Sequence, residues 1–314
     1  MVSLGLLAVS CAFVWVALLY PRRAGAVAVL AVVLLAADLG VRFRGYYEAS
    51  PTSLFERDGT VKWLEQDDFS HRLLVWGTAH SNYFALFGIE SANGHHAFPP
   101  LRTARFLPLL SNRTVASLSN VQYELFYLRD EEGRPFNPPI RSRDCLSIRS
   151  AAFEPMGRAV MVDSYRVTDS EKVLNVLACS DFDPRGEVIL EEPPPQWFKH
   201  NGTERRPGSA FVEDRRFNHM SVRTQSEADS LLLLSESNYP GWTAKVDGRP
   251  ARVYTADYVF RAVFVPAGSH TVEFHFRPFS FTAGAIVSAA SLLSVATALL
   301  ILRRWNRGAE STPQ

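Results

Sequence analysis

Near the end of this chain a polar, turn-rich segment runs directly into an apolar one, and this junction constrains the fold more than any other feature. Residues 235–278 alternate short strand candidates with turn residues, and Phe281 to Leu302 then carries no charge. A membrane span needs about 20 apolar residues, so the apolar segment predicts a transmembrane helix over 280–303. We expect the preceding β segment to lie at the water–lipid boundary.

Two further apolar segments stand at the start of the chain, Val2–Tyr20 and Ala24–Leu39. They predict a transmembrane helical hairpin over 1–41, so that three transmembrane helices are expected in all. A signal peptide is the alternative for Val2–Tyr20. No basic region precedes that segment, however, and a second apolar segment follows almost at once, which favours the hairpin.

The positions of the basic residues predict how the chain crosses the membrane. Arginines in the first turn and after the last span are expected on the cytoplasmic side, since short cytoplasmic segments are enriched in Lys and Arg: Arg22, Arg23, Arg303, Arg304 and Arg307. This orientation places residues 42–279 outside the cytoplasm and makes 304–314 a cytoplasmic tail. Arg42 and Arg44 then fall on the outer side, which weakens the argument without reversing it.

Between the spans we expect an α+β region over 42–207 and an antiparallel β-sandwich module over 208–279. Thr271 to Phe276 has the alternation of a half-buried strand, and Asp247-Gly248 and Pro266–Gly268 are typical of chain reversals. The predicted helices are Val61–Gln66, Asn82–Phe87, Leu101–Leu110 and Ser170–Cys179, the last with Ser170 as its N-cap. The predicted strands are His71–Trp76, Val121–Leu128, Arg158–Val162, Glu187–Leu190, His219–Arg223, Ser230–Leu234, Thr243–Val246, Ala251–Tyr254, Tyr258–Val265 and Thr271–Phe276.

Composition and motifs exclude several classes of function. The net charge is +1 and no basic stripe is interleaved with aromatic residues, so nucleic acid is not an expected partner. No phosphate-binding loop, dinucleotide fingerprint or nucleophile elbow is present, and no cofactor is expected. His80, His95 and His96 share one irregular stretch, but adjacent histidines in a loop rarely form a metal site. We therefore expect no metal.

The C-terminal motifs resemble those of the YfhO-like family of bacterial membrane proteins. The similarity is densest over Tyr239–Trp242, Val246–Gly248, Pro266–His270 and Arg277-Pro278, followed by the span. Members of that family look like GT-C-type glycosyltransferases that use lipid-linked sugars. The resemblance implies a bacterial inner (plasma) membrane location and a lipid bilayer, a lipid-linked sugar or an envelope glycan as partner. Such enzymes have many more N-terminal spans, so no residue here inherits a catalytic role.

Candidate binding residues remain, each with a structural alternative. Trp242 and Tyr239 could stack on a sugar, or they could anchor a Pro-Gly turn, which we favour. Asp247 could orient a sugar hydroxyl or make turn hydrogen bonds. Tyr83, His95 and His96 lie in a loop-like stretch that could bind a polar acceptor. Arg42 and Arg44 could contact a lipid phosphate, although Arg42 could instead pair with Asp38.

Two hypotheses of different classes follow. The chain could be the non-catalytic C-terminal portion of a YfhO-like glycosyltransferase, supporting sugar transfer to cell-envelope polymers beside a membrane protein that supplies the missing spans. Alternatively, it could be a stand-alone membrane-anchored module that binds a glycan or a protein, or an inactive gene fragment. A disulfide between Cys145 and Cys179 is compatible with an oxidising location, but the spacing of the two cysteines does not establish it.

Overall fold

A computed structural model describes most of the chain after residue 56. The described residues are 57, 59–66, 70–76, 82–94, 99–127, 146–179, 181–198 and 208–310, together with several between 25 and 37. The chain divides into two compact units, Met1–Glu56 and Arg57–Gln314. In the first unit, the described residues between Gly25 and Ala37 are helical, whereas Val2–Tyr20 lies outside the described residues.

The second unit combines short helices with many strands. Its α-helices are α1 (Gly59–Leu64), α2 (Leu101–Phe106), α3 (Arg113–Leu118), α4 (Ser170–Ala178) and α5 (Phe279–Glu310), and 3-10 turns cover Phe84–Phe87 and Leu107–Ser111. The strands are β1 (Arg72–Trp76), β2 (Val121–Tyr127), β3 (Leu146–Ser150), β4 (Ala159–Val162), β5 (Tyr165–Val167), β6 (Val188–Leu190), β7 (Ser209–Arg216), β8 (His219–Ser226), β9 (Ser230–Ser237), β10 (Trp242–Val246), β11 (Arg249–Ala251), β12 (Tyr254–Ala256), β13 (Phe260–Val265) and β14 (Gly268–Phe276).

The described strands form three sheets. A three-stranded sheet has the order β1-β2-β3, a five-stranded antiparallel sheet the order β11-β10-β14-β8-β7, and a six-stranded sheet the order β4-β9-β13-β12-β6-β5. Two neighbouring pairs are parallel, β1 with β2 and β5 with β6. Each parallel pair has helical segments between its strands, because a parallel connection must carry the chain back along the sheet.

The six-stranded sheet is buried on both faces, which makes it the centre of the unit. Along β9, Leu232 and Leu234 pack against the five-stranded sheet, and Leu231 and Leu233 pack against the helical layer on the other side. The continuous apolar run in β9 is therefore that of a strand covered on two sides. The predicted β-sandwich is consistent with the packing of the five- and six-stranded sheets.

Several predicted elements differ from those observed. The predicted strand Ala251–Tyr254 is wrong: β11 ends at Ala251 in the five-stranded sheet, and β12 begins at Tyr254 in the six-stranded sheet. The chain changes sheets between them, so no single strand can span the four residues. The N-cap of α4 is Asp169 rather than Ser170.

The strands β3, β5 and β7 and the helix α3 were not predicted. The six-stranded sheet also takes strands from both sides of residue 207, where the sequence predicts a domain boundary. Strands that are neighbours in this sheet, such as β4 and β9, are therefore far apart in the chain.

The helix α5 is the element suited to cross a membrane. Phe279–Ile301 has a mean hydropathy of 2.1 and is not buried against the rest of the protein. Among the described residues it is the one helix long and apolar enough for a span, so the first two predicted spans are not established. The fold is mostly β-sheet with one candidate membrane helix near its C-terminal end.

A close contact fixes the point at which the chain leaves the five-stranded sheet for α5. Gly241 has φ of 115°, and a Cβ there would stand 2.8 Å from Cα of Pro278. The backbone N–H of Arg277 donates to the carbonyl oxygen of Gly241 at 2.8 Å. Glycine is required here because the two chain segments approach too closely for a side chain.

The turn between β12 and β13 contains a buried carboxyl group. Asp257 is fully buried, and its Oδ1 accepts from the backbone N–H of Ile189 at 2.8 Å. Its Oδ2 has no hydrogen-bond partner among the described residues. Burial raises the pKa of Asp257 from 3.8 to about 7, although the bond from Ile189 acts in the opposite direction.

We predict that Asp257→Asn flattens the pH dependence of stability. A carboxyl group whose pKa is higher in the folded state stabilises the fold fully below its unfolded value of 3.8, and this contribution is lost as pH rises towards about 7. The free energy of unfolding should fall by about 1.4 kcal/mol per pH unit over that window.

Asparagine retains the acceptor for Ile189 but does not ionise. Urea unfolding of wild type and Asp257→Asn at several pH values between 3.8 and about 7 measures how the free energy of unfolding of each protein changes with pH. A constant difference between wild type and variant across that window would show that Asp257 titrates normally.

Candidate functional site

Charged side chains from all three sheets converge at one end of the sandwich. They are Arg72, Glu90, Arg158, Arg215, Glu236 and Arg261, which we call the ion cluster. Arg72 comes from the three-stranded sheet, Arg215 from the five-stranded sheet and Arg261 from the six-stranded sheet. Buried charges are stable only when they are paired and hydrogen-bonded, so the contacts within the cluster decide what it can do.

The two carboxylates of the cluster are bridged by arginines. Nη2 of Arg72 lies 3.0 Å from Oε1 of Glu236, and Arg158 donates to both Glu236 and Glu90. Arg215 pairs with Glu90, and its Nη1 lies 3.9 Å from Oε1 of Glu236. Each carboxylate is therefore contacted by more than one guanidinium group.

The pKa directions reflect this excess of positive charge. Burial alone would raise the pKa of Glu90, but Arg158, Arg72 and Arg215 together lower it below its ordinary value. Burial lowers the pKa of Arg72, and Glu236 opposes that effect. Glu90 should thus remain ionised wherever the protein is folded near neutral pH.

Arg261 is the buried member of the cluster that lacks a full set of partners. Alternate residues of β13 face the five-stranded sheet, so that Arg261 occupies the same row as the buried Val263 and Val265. It is 3% exposed, and its Nε and Nη1 have no hydrogen-bond partner among the described residues. An unsatisfied buried donor destabilises a fold by about 1–3 kcal/mol.

A contact with the ring of Trp242 offsets part of the cost of the unsatisfied donors of Arg261. The guanidinium carbon of Arg261 lies 3.6 Å from the centre of the Trp242 ring, and such a cation–π contact is worth about 2 kcal/mol when desolvated. Burial lowers the pKa of Arg261 to about 10, with Glu236 opposing. The group is therefore still protonated at neutral pH, and two of its donor nitrogens, Nε and Nη1, have no acceptor among the described residues.

A β-bulge points Arg215 towards the same place. The register of β7 against β8 shifts between Val212 and Asp214, so that Arg215 pairs with the buried Met220. Cross-strand partners share a face of the sheet. Without the extra residue in β7, strict alternation would have placed Arg216 on the inward face in place of Arg215. Bulges commonly change the direction of a side chain in this way.

These residues surround an open cleft of about 630 Å³, which we call the basal cleft. Its lining comprises Glu90, Arg215, Arg216, Phe217, Met220, Glu236, Trp242 and Arg261. The cleft lies at the end of the sandwich from which α5 departs: Trp242 pairs with Phe276, and the N–H of Phe276 donates to Asn218 at 2.9 Å. The candidate membrane helix begins three residues further on, at Phe279.

A second cleft of about 580 Å³, the hairpin cleft, lies beside the β10–β11 turn. There Oδ2 of Asp247 is 2.6 Å from Nδ1 of His270, and Oδ1 of Asp247 accepts from the backbone N–H of Thr271 at 2.9 Å. The bond to His270 lowers the pKa of Asp247 and raises that of His270. The half-exposed indole of Trp197 also lines this cleft.

The structure does not bring the predicted sugar contacts together. Trp242 lines the basal cleft, and Asp247 lines the hairpin cleft at the other end of β10. Tyr239 is exposed in the turn before β10, and Tyr83 packs edge-on against Phe87 beside the three-stranded sheet. Their contacts to sugars stay predictions. His80, His95, His96, Asp38, Arg42, Arg44 and Cys145 lie outside the described residues.

Sequence reasoning missed the ion cluster, although one signal was present. The strand FRAVFV carries an arginine in the row otherwise filled by valines, and a charge at an inward position of a buried strand indicates a special role. The partners Arg72, Glu90 and Arg158 come from distant parts of the chain, which local patterns do not connect. Among the described residues, no group of His, Cys, Asp or Glu could hold a metal ion.

We predict that Glu236→Gln destabilises the protein by about 3 kcal/mol, because it leaves buried guanidinium groups without their counter-charge. The matched control is Glu192→Gln, whose pair with Arg252 is exposed and should contribute less than about 1 kcal/mol. Denaturant unfolding of the full chain in detergent micelles measures both changes. Equal losses for the two variants would refute a stabilising role for the cluster.

Residues 206–288 match the family model described as bacterial membrane protein YfhO. The matched range contains β7 to β14 and the beginning of α5, and it confirms the predicted resemblance over that part of the chain. Neither a curated protein nor a solved structure matches the chain significantly. The family match and the apolar helix together indicate that the protein associates with a membrane.

Proposed function

We propose that this chain is a membrane-anchored support module for the transfer of lipid-linked sugars to cell-envelope polymers, and that it carries no catalytic groups itself. It is the counterpart of the C-terminal portion of a YfhO-like, GT-C-type glycosyltransferase. A separate membrane protein supplies the remaining spans.

The observation that carries this proposal is the position of the basal cleft. A lipid-linked sugar keeps its charged linkage near the lipid–water boundary while its tail stays in the bilayer. The basal cleft opens at the end of the sandwich next to α5 and combines guanidinium groups with the exposed ring of Phe217. A charged headgroup attached to an apolar tail fits these two features.

The proposal requires residues 42–279 of a multi-pass inner-membrane protein to lie outside the cytoplasm. Cys179 offers a direct test, because it is an exposed free thiol in the described part of the chain. With Cys11 and Cys145 changed to serine, we predict that a membrane-impermeant maleimide labels the protein in intact spheroplasts. Labelling that appears only after permeabilisation would place this region in the cytoplasm and contradict the proposal.

The functional test is deletion of the gene from its bacterial host. We expect a lower sugar content in one class of envelope polymer, measured by mass spectrometry, and restoration by the full chain. Restoration should also require α5, so that a secreted version ending before Phe279 fails although it carries the same sandwich. An unchanged sugar content after deletion would overturn the proposal.

A second candidate function is stand-alone glycan binding, and the hairpin cleft favours it. Its exposed Trp197 ring beside Asp247 and Arg252 offers an apolar face with polar groups at its edge, which suits a sugar ring. Binding of polysaccharide by the full chain that is lost in Trp197→Ala, combined with normal envelope sugar content after deletion, would favour this function over the first.

A further inference from the structure

We propose that the basal cleft is a binding site for a phosphate group, with Arg261 as its buried ligand and Arg215 as the ligand at its mouth. The inference rests on the proposed function only for the source of the phosphate in the cell, a lipid-linked headgroup. The site itself follows from the unsatisfied donors, the charge balance and the position of the cleft.

The unsatisfied donors of Arg261 are the first argument. Nε and Nη1 of a guanidinium group that is 3% exposed have no acceptor among the described residues, although the residue lines the cleft. The guanidinium carbon lies over the ring of Trp242, and this contact does not replace acceptors at the N–H groups. A phosphate oxygen does, and the planar fork of arginine matches phosphate geometry.

The charge balance selects an anion. Four guanidinium groups, those of Arg72, Arg158, Arg215 and Arg261, face two carboxylates, those of Glu90 and Glu236, so two positive charges are in excess. The two carboxylates of β7 have other partners: Asp214 contacts Arg216 and His219, and Glu213 pairs with Arg223. A phosphate group with a charge between −1 and −2 offsets the excess.

Exposed aromatic residues place the site at the membrane surface. Phe217 at the β7–β8 turn is completely exposed, and Tyr239 and Phe279 are also largely exposed at this end of the sandwich. Tyrosine is enriched where proteins meet the headgroup region of a bilayer, and exposed phenylalanine rings add apolar surface that can enter it. A phosphate bound in the basal cleft would therefore lie level with lipid headgroups, so either a lipid phosphate or free phosphate could reach it.

The test uses the full chain in micelles of dodecyl maltoside, a detergent without phosphate, and follows the ³¹P resonance of added inorganic phosphate. The variants are Arg261→Met, which keeps an unbranched chain in the core, and Arg215→Gln at the partly exposed mouth, which should not disturb folding. Arg166→Gln, at an exposed arginine that pairs with Glu187 and lines neither cleft, is the matched control. We expect saturable line broadening with wild type and the control, and affinity at least about tenfold weaker in both cleft variants, because each loses charged hydrogen bonds.

A second arm distinguishes the sources of phosphate. Mixed micelles that also contain phosphatidylglycerol or a polyprenyl phosphate should displace inorganic phosphate if the occupant is a lipid headgroup, and should leave it bound if the site takes free phosphate. Either outcome supports the site. Absence of saturable binding by wild type, or equal binding by wild type, Arg261→Met and Arg215→Gln, would overturn it.

The proposed function and the site can fail separately. Phosphate binding that depends on Arg261, found together with normal envelope sugar content after gene deletion, would leave the site standing and remove the role in sugar transfer. Loss of sugar content that both cleft variants fully restore would leave the role standing and remove the site.

Discussion

The ion cluster is the interaction on which the arrangement of the three sheets depends. Arg72 reaches from the three-stranded sheet to Glu236 of the six-stranded sheet, and Arg215 reaches from the five-stranded sheet to Glu90. Apolar contacts would hold these sheets together with less directional preference. Because hydrogen-bonded ion pairs have strict geometry, the cluster fixes where the sheets meet. The pairing of its arginines with Glu90 and Glu236 also explains why one end of the sandwich core can contain charged side chains.

Much of the sandwich could be predicted from the sequence, because its strands alternate clearly. β14 has the expected inward row of Val272 and Phe274, and the turn at Asp247-Gly248 connects β10 and β11 as expected. The strand β7 was missed, since its exposed phenylalanine and its bulge obscure the alternation. The change of sheet between Ala251 and Tyr254 has no local signal, because it is determined by which neighbours are available in space.

The candidate site was much less predictable than the fold. Sequence reasoning considered Trp242 as a sugar platform or, preferably, as an anchor of the Pro-Gly turn, and the structure places its ring against Arg261 and 5.2 Å from the ring of Phe276. Its observed contacts therefore position an arginine. The importance of Arg261 comes from what surrounds it, and those residues are distant in the chain. Composition and periodicity describe single elements, whereas a charged cleft arises from several elements meeting.

The connection between β14 and α5 has a mechanical consequence. β14 is bonded to β10 on one side and to β8 on the other, so the helix is attached to an interior strand of its sheet. Only two residues separate the strand from the helix, and both contact Gly241 in the turn between β9 and β10. A force that tilts the helix in the bilayer would be resisted by both ladders of hydrogen bonds at once. The sandwich is therefore expected to follow the tilt of its anchor instead of swivelling on a tether.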